Sequence, residues 1–224
     1  HAPQRPARHD RRPEGGYAVT HFIFDADDVL LNWQSAFALY LGNRGINLRI
    51  DGPADWCLSN WIGCTPVAAK SWVTRFNASP AFGHMALMPE AYETLWALHD
   101  AGHTIEILTA CGDACATRQA RQANLDRVFQ RDGALPYSRV TCLPLGESKF
   151  DFLWNATRNR DPRKVAFVDD NYAHAKSGAM VGVTSYCTRR SYNRQQEADN
   201  PMSDVLWIDD IREIAQRHVM TGAK

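Results

Sequence analysis

No apolar run in this 224-residue chain reaches the roughly 18 residues that a helix needs to cross a bilayer. Neither sign of charge dominates: 25 Lys and Arg stand against 25 Asp and Glu, so no broad field draws the chain toward DNA or a membrane surface. Six cysteines are present, but none form a Cys-x-x-Cys pair. Cys111-x3-Cys115 lacks a second pair or a usable His spacing that would complete a zinc site, so reduced thiols are expected. Residues 1–16 have almost no large apolar side chains and are rich in Arg and Pro. They read as a disordered basic leader, and the missing apolar segment after them argues against a secretory signal. No internal repeat is visible. These absences set the expectation of a cytoplasmic protein with no membrane partner.

What is present is a globular composition, 45% hydrophobic, in a chain long enough for one domain with an insertion. A buried strand is expected from Tyr17 to Phe24, then a helix from Asn32 to Tyr40 with Trp33, Phe37 and Tyr40 on one face. Residues 42–88 have a different texture, with short helical stretches, frequent Gly, Pro and Ser, and many aromatics. So long a connection is far from the usual few residues, and residues 32–88 are expected to form a small helical cap. Pro89 opens the next helix, whose inward stripe is Ala91, Leu95 and Leu98, and Gly102 ends it. Strands follow at Thr104–Leu108, Val140–Leu143, Lys164–Val168 and Thr184–Cys187, the last of the sheet. Helices lie between them: one capped by Asp113 and running through Ala123, one starting near Ser148, and one ending near Gly178 or Gly182. A terminal helix covers Asp209–Val219. Alternating strands and helices imply an α/β fold, a Rossmann-like doubly wound parallel sheet built from 17–31 and 89–224, with the cap inserted after the first strand.

In an open parallel sheet, ligands bind beyond the carboxyl ends of the strands. Here those ends carry Asp25-Ala26-Asp27-Asp28, then Thr109-Ala110, then Lys149 a few residues on, then Asp169-Asp170. Carboxylates crowded at the end of a buried strand repel one another and are costly to desolvate. Two such clusters at two strand ends call for a hard cation, and Mg2+ suits an oxygen-rich site.

The four segments "FDADDVL", "ILTA", Lys149 and "VAFVDDN", in this order from about Tyr17 to Cys187, resemble the four motifs of the haloacid dehalogenase-like (HAD) superfamily of phosphohydrolases. The resemblance implies that Asp25 is a nucleophile forming an aspartyl-phosphate. Asp27 would protonate the leaving oxygen and then activate water. Mg2+ would sit on the Asp25 carboxylate, the Asp27 backbone carbonyl and Asp169, with Asp170 assisting. Thr109 and the Ala110 N–H would hold phosphoryl oxygens, and Lys149 would neutralise charge. Dehalogenases of the superfamily lack the acid at the Asp27 place and the ATPase pumps carry Thr there, so Asp27 points to a phosphatase or phosphomutase. Asp28 stands where many relatives have Gly, and the favoured reading is a cap on the following helix.

The insertion through "P-x-A-x-x-x-L" and the second motif is similar to the 5′(3′)-deoxyribonucleotidase branch, in which cap aromatics contact a nucleobase. Trp33, Trp56, Trp61, Trp72, Phe76 and Phe82 form the pool for such a pocket, although aromatics also fill small cores. The expected activity is Mg2+-dependent hydrolysis of a small phosphorylated partner, favouring a (deoxy)nucleoside monophosphate. The alternatives are sugar phosphates, nucleic-acid 3′-phosphate ends served by a basic loop of Arg189, Arg190, Tyr192 and Arg194, and a non-catalytic binding module. Arg118 and Arg121 are read as solvated, and His174 as packing or exposed.

Overall fold

A computed structural model describes residues 21–48 and 52–219. The proposed leader, 1–16, lies outside the described residues, as does the start of the first strand. Strand β1 (His21–Phe24) is buried along its whole length, as expected of a central parallel strand covered on both faces. Among the described residues five more strands complete a parallel sheet around it: β2 (Thr104–Thr109), β3 (Arg139–Cys142), β4 (Val165–Asp169), β5 (Thr184–Thr188) and β6 (Leu206–Ile208), in the order β3-β2-β1-β4-β5-β6. This is the Rossmann-like doubly wound order, with its switch point beside β1.

Among the described residues nine helices cover the sheet or follow its strands. Between β1 and β2 lie α1 (Trp33–Gly42), α2 (Leu58–Ile62), α3 (Pro66–Asn77), a 3-10 turn (Pro80–His84) and α4 (Ala91–Asp100). The rest are α5 (Cys115–Phe129), α6 (Phe150–Thr157), α7 (Tyr172–Met180), α8 (Arg194–Asp199) and α9 (Arg212–His218). Asn32 caps α1 by accepting from the Ser35 N–H, and Thr65 caps α3 by accepting from the Ala68 N–H. The α1–α3 aromatics do not build a core of their own. Trp33, Phe37, Tyr40, Trp61, Phe76 and Phe82 join Phe22 and Phe24 of β1 in one continuous buried cluster.

Several expectations need correction. β6 and α8 were not anticipated, because three residues with an exposed Leu206 and a half-buried Trp207 give no period. Asp113 is not the cap of α5, which starts after Ala114 and runs six residues beyond Ala123, to Phe129. The end of α7, expected near Gly178 or Gly182, falls at Met180, so Gly178 sits inside the helix. A Cβ there would lie 2.2 Å from Ser185 Oγ and 3.0 Å from Phe167 Cδ1, so this helix touches β4 and β5 through the missing side chain. Gly178→Ala is therefore expected to cost about 1–3 kcal/mol by overpacking, read as a lower urea midpoint at unchanged m; an unchanged midpoint would show that α7 shifts freely.

Candidate active site

Register brings the acidic strand ends together. Phe24 of β1 pairs with Val168 of β4, so the next residues, Asp25 and Asp169, emerge side by side. The Asp25 N–H donates to the Val168 carbonyl at 2.8 Å. On the other flank Phe24 pairs with Ile107, which puts Thr109 at the same rim. Lys149 approaches from the loop before α6. Its Nζ donates to Asp25 Oδ1 at 2.5 Å and to Asp169 Oδ2 at 2.7 Å, with only 1% of the side chain exposed. Carboxylate oxygens of Asp25, Asp169 and Asp170 lie within 4.8 Å of one another.

The charges respond to this burial. Desolvation pushes Asp25 up to about 7, against the pull of Lys149 and with repulsion from Asp169 and Asp27 adding to it. Burial, and then the Asp169 charge, raises Asp170 well above the carboxylate range. Burial also works against the Asp169 carboxylate, but Lys149 and His174 outweigh it and hold this group low. Lys149 is raised because Asp169 and Asp25 outweigh its own desolvation. Two of the three buried carboxylates, Asp25 and Asp169, thus share one ammonium, and Asp170 is bonded by Tyr192. The all-oxygen donor set fits a hard divalent cation, whose charge would offset the cost of ionising all three.

The Asp27 side chain is not part of that group. It turns to Arg121 of α5, whose Nη2 donates to Asp27 Oδ1 at 2.6 Å. Thr109 has a fully buried hydroxyl with no hydrogen-bond partner among the described residues, and it lies on the wall of the cavity above the strand ends. Ala110 lines the same wall. Asp28 has φ +52°, a left-handed conformation that side chains rarely adopt. It accepts from the Gln34 N–H at 3.0 Å, in the first turn of α1, and from Gln34 Nε2 at 3.1 Å. The fork of Arg190 donates twice to its carbonyl, at 2.9 and 2.5 Å. Burial lifts the Asp28 carboxyl to about 6.

Sequence reasoning missed several of these neighbours. Tyr192 donates a short hydrogen bond to Asp170, and Asn193 donates to the Asp170 carbonyl at 2.8 Å. His174, read as packing, has Nδ1 3.5 Å from Asp169 Oδ2 and lines the cavity. Arg121 was read as solvated, yet it is fully buried. A signal was available, since the inward stripe of Leu125 and Phe129 runs back in steps of four through Arg121 to Thr117.

The cavity encloses about 670 Å³, a size suited to a small ligand. Of the aromatic pool, Trp33 and Trp56 line it, together with Tyr192, Gln34 and Lys70. Trp61, Phe76 and Phe82 are core residues, and Trp72 packs against that core. None of these four is on the cavity wall; they lie in or against the buried cluster shared with β1. Trp56 is half exposed, with its ring 5.4 Å from that of Tyr192 at 65°. In the basic loop, Arg189 is held by Glu197 and Asp209.

No family model matches this chain, and no curated protein matches its sequence. Solved structures share its fold at low identity. YfnB of Bacillus subtilis, a candidate HAD-hydrolase in a form bound to magnesium, gives a TM-score of 0.59 at 12% identity, covering 90% of this chain and 99% of that one. CbbY from Rhodobacter sphaeroides in complex with phosphate gives 0.55 at 14%, covering 88% and 96%. L-2-haloacid dehalogenase from Xanthobacter autotrophicus, with chloropropionic acid covalently bound, gives 0.54 at 13%, covering 92% and 100%. No described helix is long and apolar enough to cross a membrane.

Proposed function

We propose that this chain is a HAD-type phosphomonoester hydrolase that uses Mg2+ and works through an aspartyl-phosphate on Asp25. One observation carries the reading: a buried Asp25 bonded to Lys149, beside Asp169 and the unpartnered Thr109 hydroxyl, on the floor of a cavity sized for one small ligand. Dehalogenases share this fold as well, and Asp27 is what favours the phosphatase. Asp25, Asp169 and Asp170, with the Asp27 backbone carbonyl, would hold the metal, which when bound offsets charge on the phosphoryl oxygens.

A carboxylate oxygen of Asp25 attacks phosphorus while the ester P–O bond breaks. Protonated Asp27 gives its proton to the departing oxygen, so the leaving group departs as an alcohol. Asp27, now a carboxylate, takes a proton from water. The water oxygen bonds to phosphorus and the Asp25–phosphorus bond breaks, which releases phosphate and restores Asp25. Thr109 and Ala110 orient the phosphoryl oxygens. Lys149 balances the charge that passes between them and Asp25.

The substrate we favour is a (deoxy)nucleoside monophosphate, enclosed by residues 32–88 acting as a cap over the site. The half-exposed face of Trp56 is the platform on which a base can stack, and such stacking is worth about 1–3 kcal/mol per base. The nucleic-acid-end alternative is weaker, because Arg189 and Arg190 are already engaged within the chain. The test is phosphate release from 5′- and 3′-mononucleotides, sugar phosphates and a 3′-phosphorylated oligonucleotide, with Mg2+ and with chelator. Metal-dependent turnover concentrated on mononucleotides is expected. Trp56→Ala should then raise KM by about tenfold for the nucleotide while leaving p-nitrophenyl phosphate unaffected. Turnover of sugar phosphates alone would discard the nucleotide, and no turnover of any ester would leave a non-catalytic module.

A further inference from the structure

Asp27 must exchange protons twice in each cycle, so its carboxyl has to stay within reach of two different oxygens. It sits on a short loop, with a quarter of its side chain exposed, and an unrestrained carboxylate there would sample several rotamers. The side chain that grips it is Arg121. That guanidinium is fully buried, and it reaches Asp27 Oδ1 at 2.6 Å from α5, 94 residues further along the chain.

The support beneath Arg121 is rigid. Its Cζ lies 4.2 Å from the centre of the fully buried Phe82 ring. Phe82 belongs to the 3-10 turn, and α5 is pinned to the end of that turn by Asn124. The Asn124 side chain accepts from the Met85 N–H at 2.7 Å and donates to the Met85 carbonyl at 3.0 Å. Arg121 gains little from this position for folding alone. Its Nε and Nη1 are buried with no nitrogen or oxygen partner among the described residues, the Cys111 thiol beside the guanidinium is only a weak acceptor, and a buried cation with donors so poorly met is costly. The stripe it interrupts holds Leu125 and Phe129, and an apolar residue would fill the place without that cost.

We propose that Arg121 is the positioning residue for Asp27: it fixes Oδ1, so that Oδ2 is the oxygen left to exchange protons with the leaving group and then with water. The inference rests on the phosphatase reading above and adds the group that holds its acid. A displacement of about 1 Å at such a group can cost on the order of 10²-fold in rate. That cost depends on the leaving group, because only a poor leaving group needs the proton.

The experiment compares kcat/KM of wild type, Arg121→Met and Arg121→Lys on p-nitrophenyl phosphate, whose anion departs unprotonated, and on the best alkyl monophosphate of the panel. In kcat/KM, Arg121→Met is expected to lose on the order of 10²-fold on the alkyl ester and less than about threefold on the nitrophenyl ester; on the nitrophenyl ester kcat and KM should fall together, because attack of water on the aspartyl-phosphate still needs Asp27. Arg121→Lys keeps a cation but not the fork, and should fall between wild type and Arg121→Met on the alkyl ester alone. If Arg121→Met fails to fold, Arg121→Lys carries the same comparison. Equal losses on both esters would overturn the proposal and leave Arg121 a structural residue. Wild-type protein that cleaves no alkyl ester overturns the phosphatase reading and this inference with it.

Discussion

Asp25→Asn is expected to lower turnover by about 10⁴- to 10⁶-fold, the scale seen when a covalent nucleophile is removed, while leaving the fold intact. Asn keeps the size of Asp, and the backbone bond from residue 25 to the Val168 carbonyl is unaffected. Burial already pushes the Asp25 carboxyl up to about 7, so at pH 8 the folded chain carries a charge that its surroundings disfavour. Removing it relieves repulsion with Asp169, while Lys149 keeps its 2.7 Å bond to that residue. The variant should therefore melt in urea at pH 8 no earlier than wild type. Acid-quenched wild type should yield a peptide phosphorylated at Asp25, and the variant none. Wild-type-like turnover by Asp25→Asn, or phosphate trapped on another residue, would remove Asp25 as the nucleophile.

The strand ends of this site were legible in the sequence because the chemistry lies where a doubly wound sheet must put it. A buried strand such as Phe22-Ile23-Phe24 cannot end in Asp25 and Asp27 without some compensation. The pairing of Phe24 with Val168 then forces Asp25 and Asp169 into neighbouring places. Lys149 was legible only by its place in the order of motifs, since the loop that carries it in has no periodicity. The contacts of Tyr192 and Asn193 were not legible, nor was the partner of Arg121, because each depends on contact across a gap in sequence; the stripe of α5 marks Arg121 as inward but not what it meets. Tyr192 reaches Asp170 from the loop after β5, and Arg121 reaches Asp27 from the buried face of α5.

The aromatics show the same limit. Composition flagged Trp33, Trp56, Trp61, Trp72, Phe76 and Phe82 together, but it could not divide them. The division follows from depth. Phe76 stacks tilted on Phe37 and Tyr40, at 5.4 and 5.3 Å, and edge-on to Phe82, at 5.9 Å. It belongs to the layer that ties α1 and α3 to the sheet. Trp56 lies outside that layer, against Tyr192, where a ring has one face left for a ligand.

Lys149→Met should abolish turnover and also change how stability depends on pH. Removing one partner of a buried ion pair typically costs about 3–5 kcal/mol, because the remaining charge stays buried and uncompensated. Here two carboxylates, Asp25 and Asp169, lose the same ammonium. Asp25 has a folded pKa of about 7 against an ordinary 3.8, so the folded state binds the extra proton between those values. The stability linked to that proton is fully present below the ordinary value and is lost as pH rises through 7. Lys149 pulls the Asp25 value down, so without it the carboxylate is harder still to charge. Asp169 works in the opposite sense: Lys149 holds it low, and the stability this gives is present above the ordinary value and disappears with the lysine. Both effects make the variant's deficit larger at pH 8 than at pH 5. Urea melts at the two pH values, each with chelator and with Mg2+, read this directly, and Mg2+ should recover more stability at pH 8, where more of the carboxylates are charged. A deficit equal at both pH values and indifferent to Mg2+ would show that Lys149 packs in the core without balancing these carboxylates, and would remove the electrostatic basis for placing a cation among them.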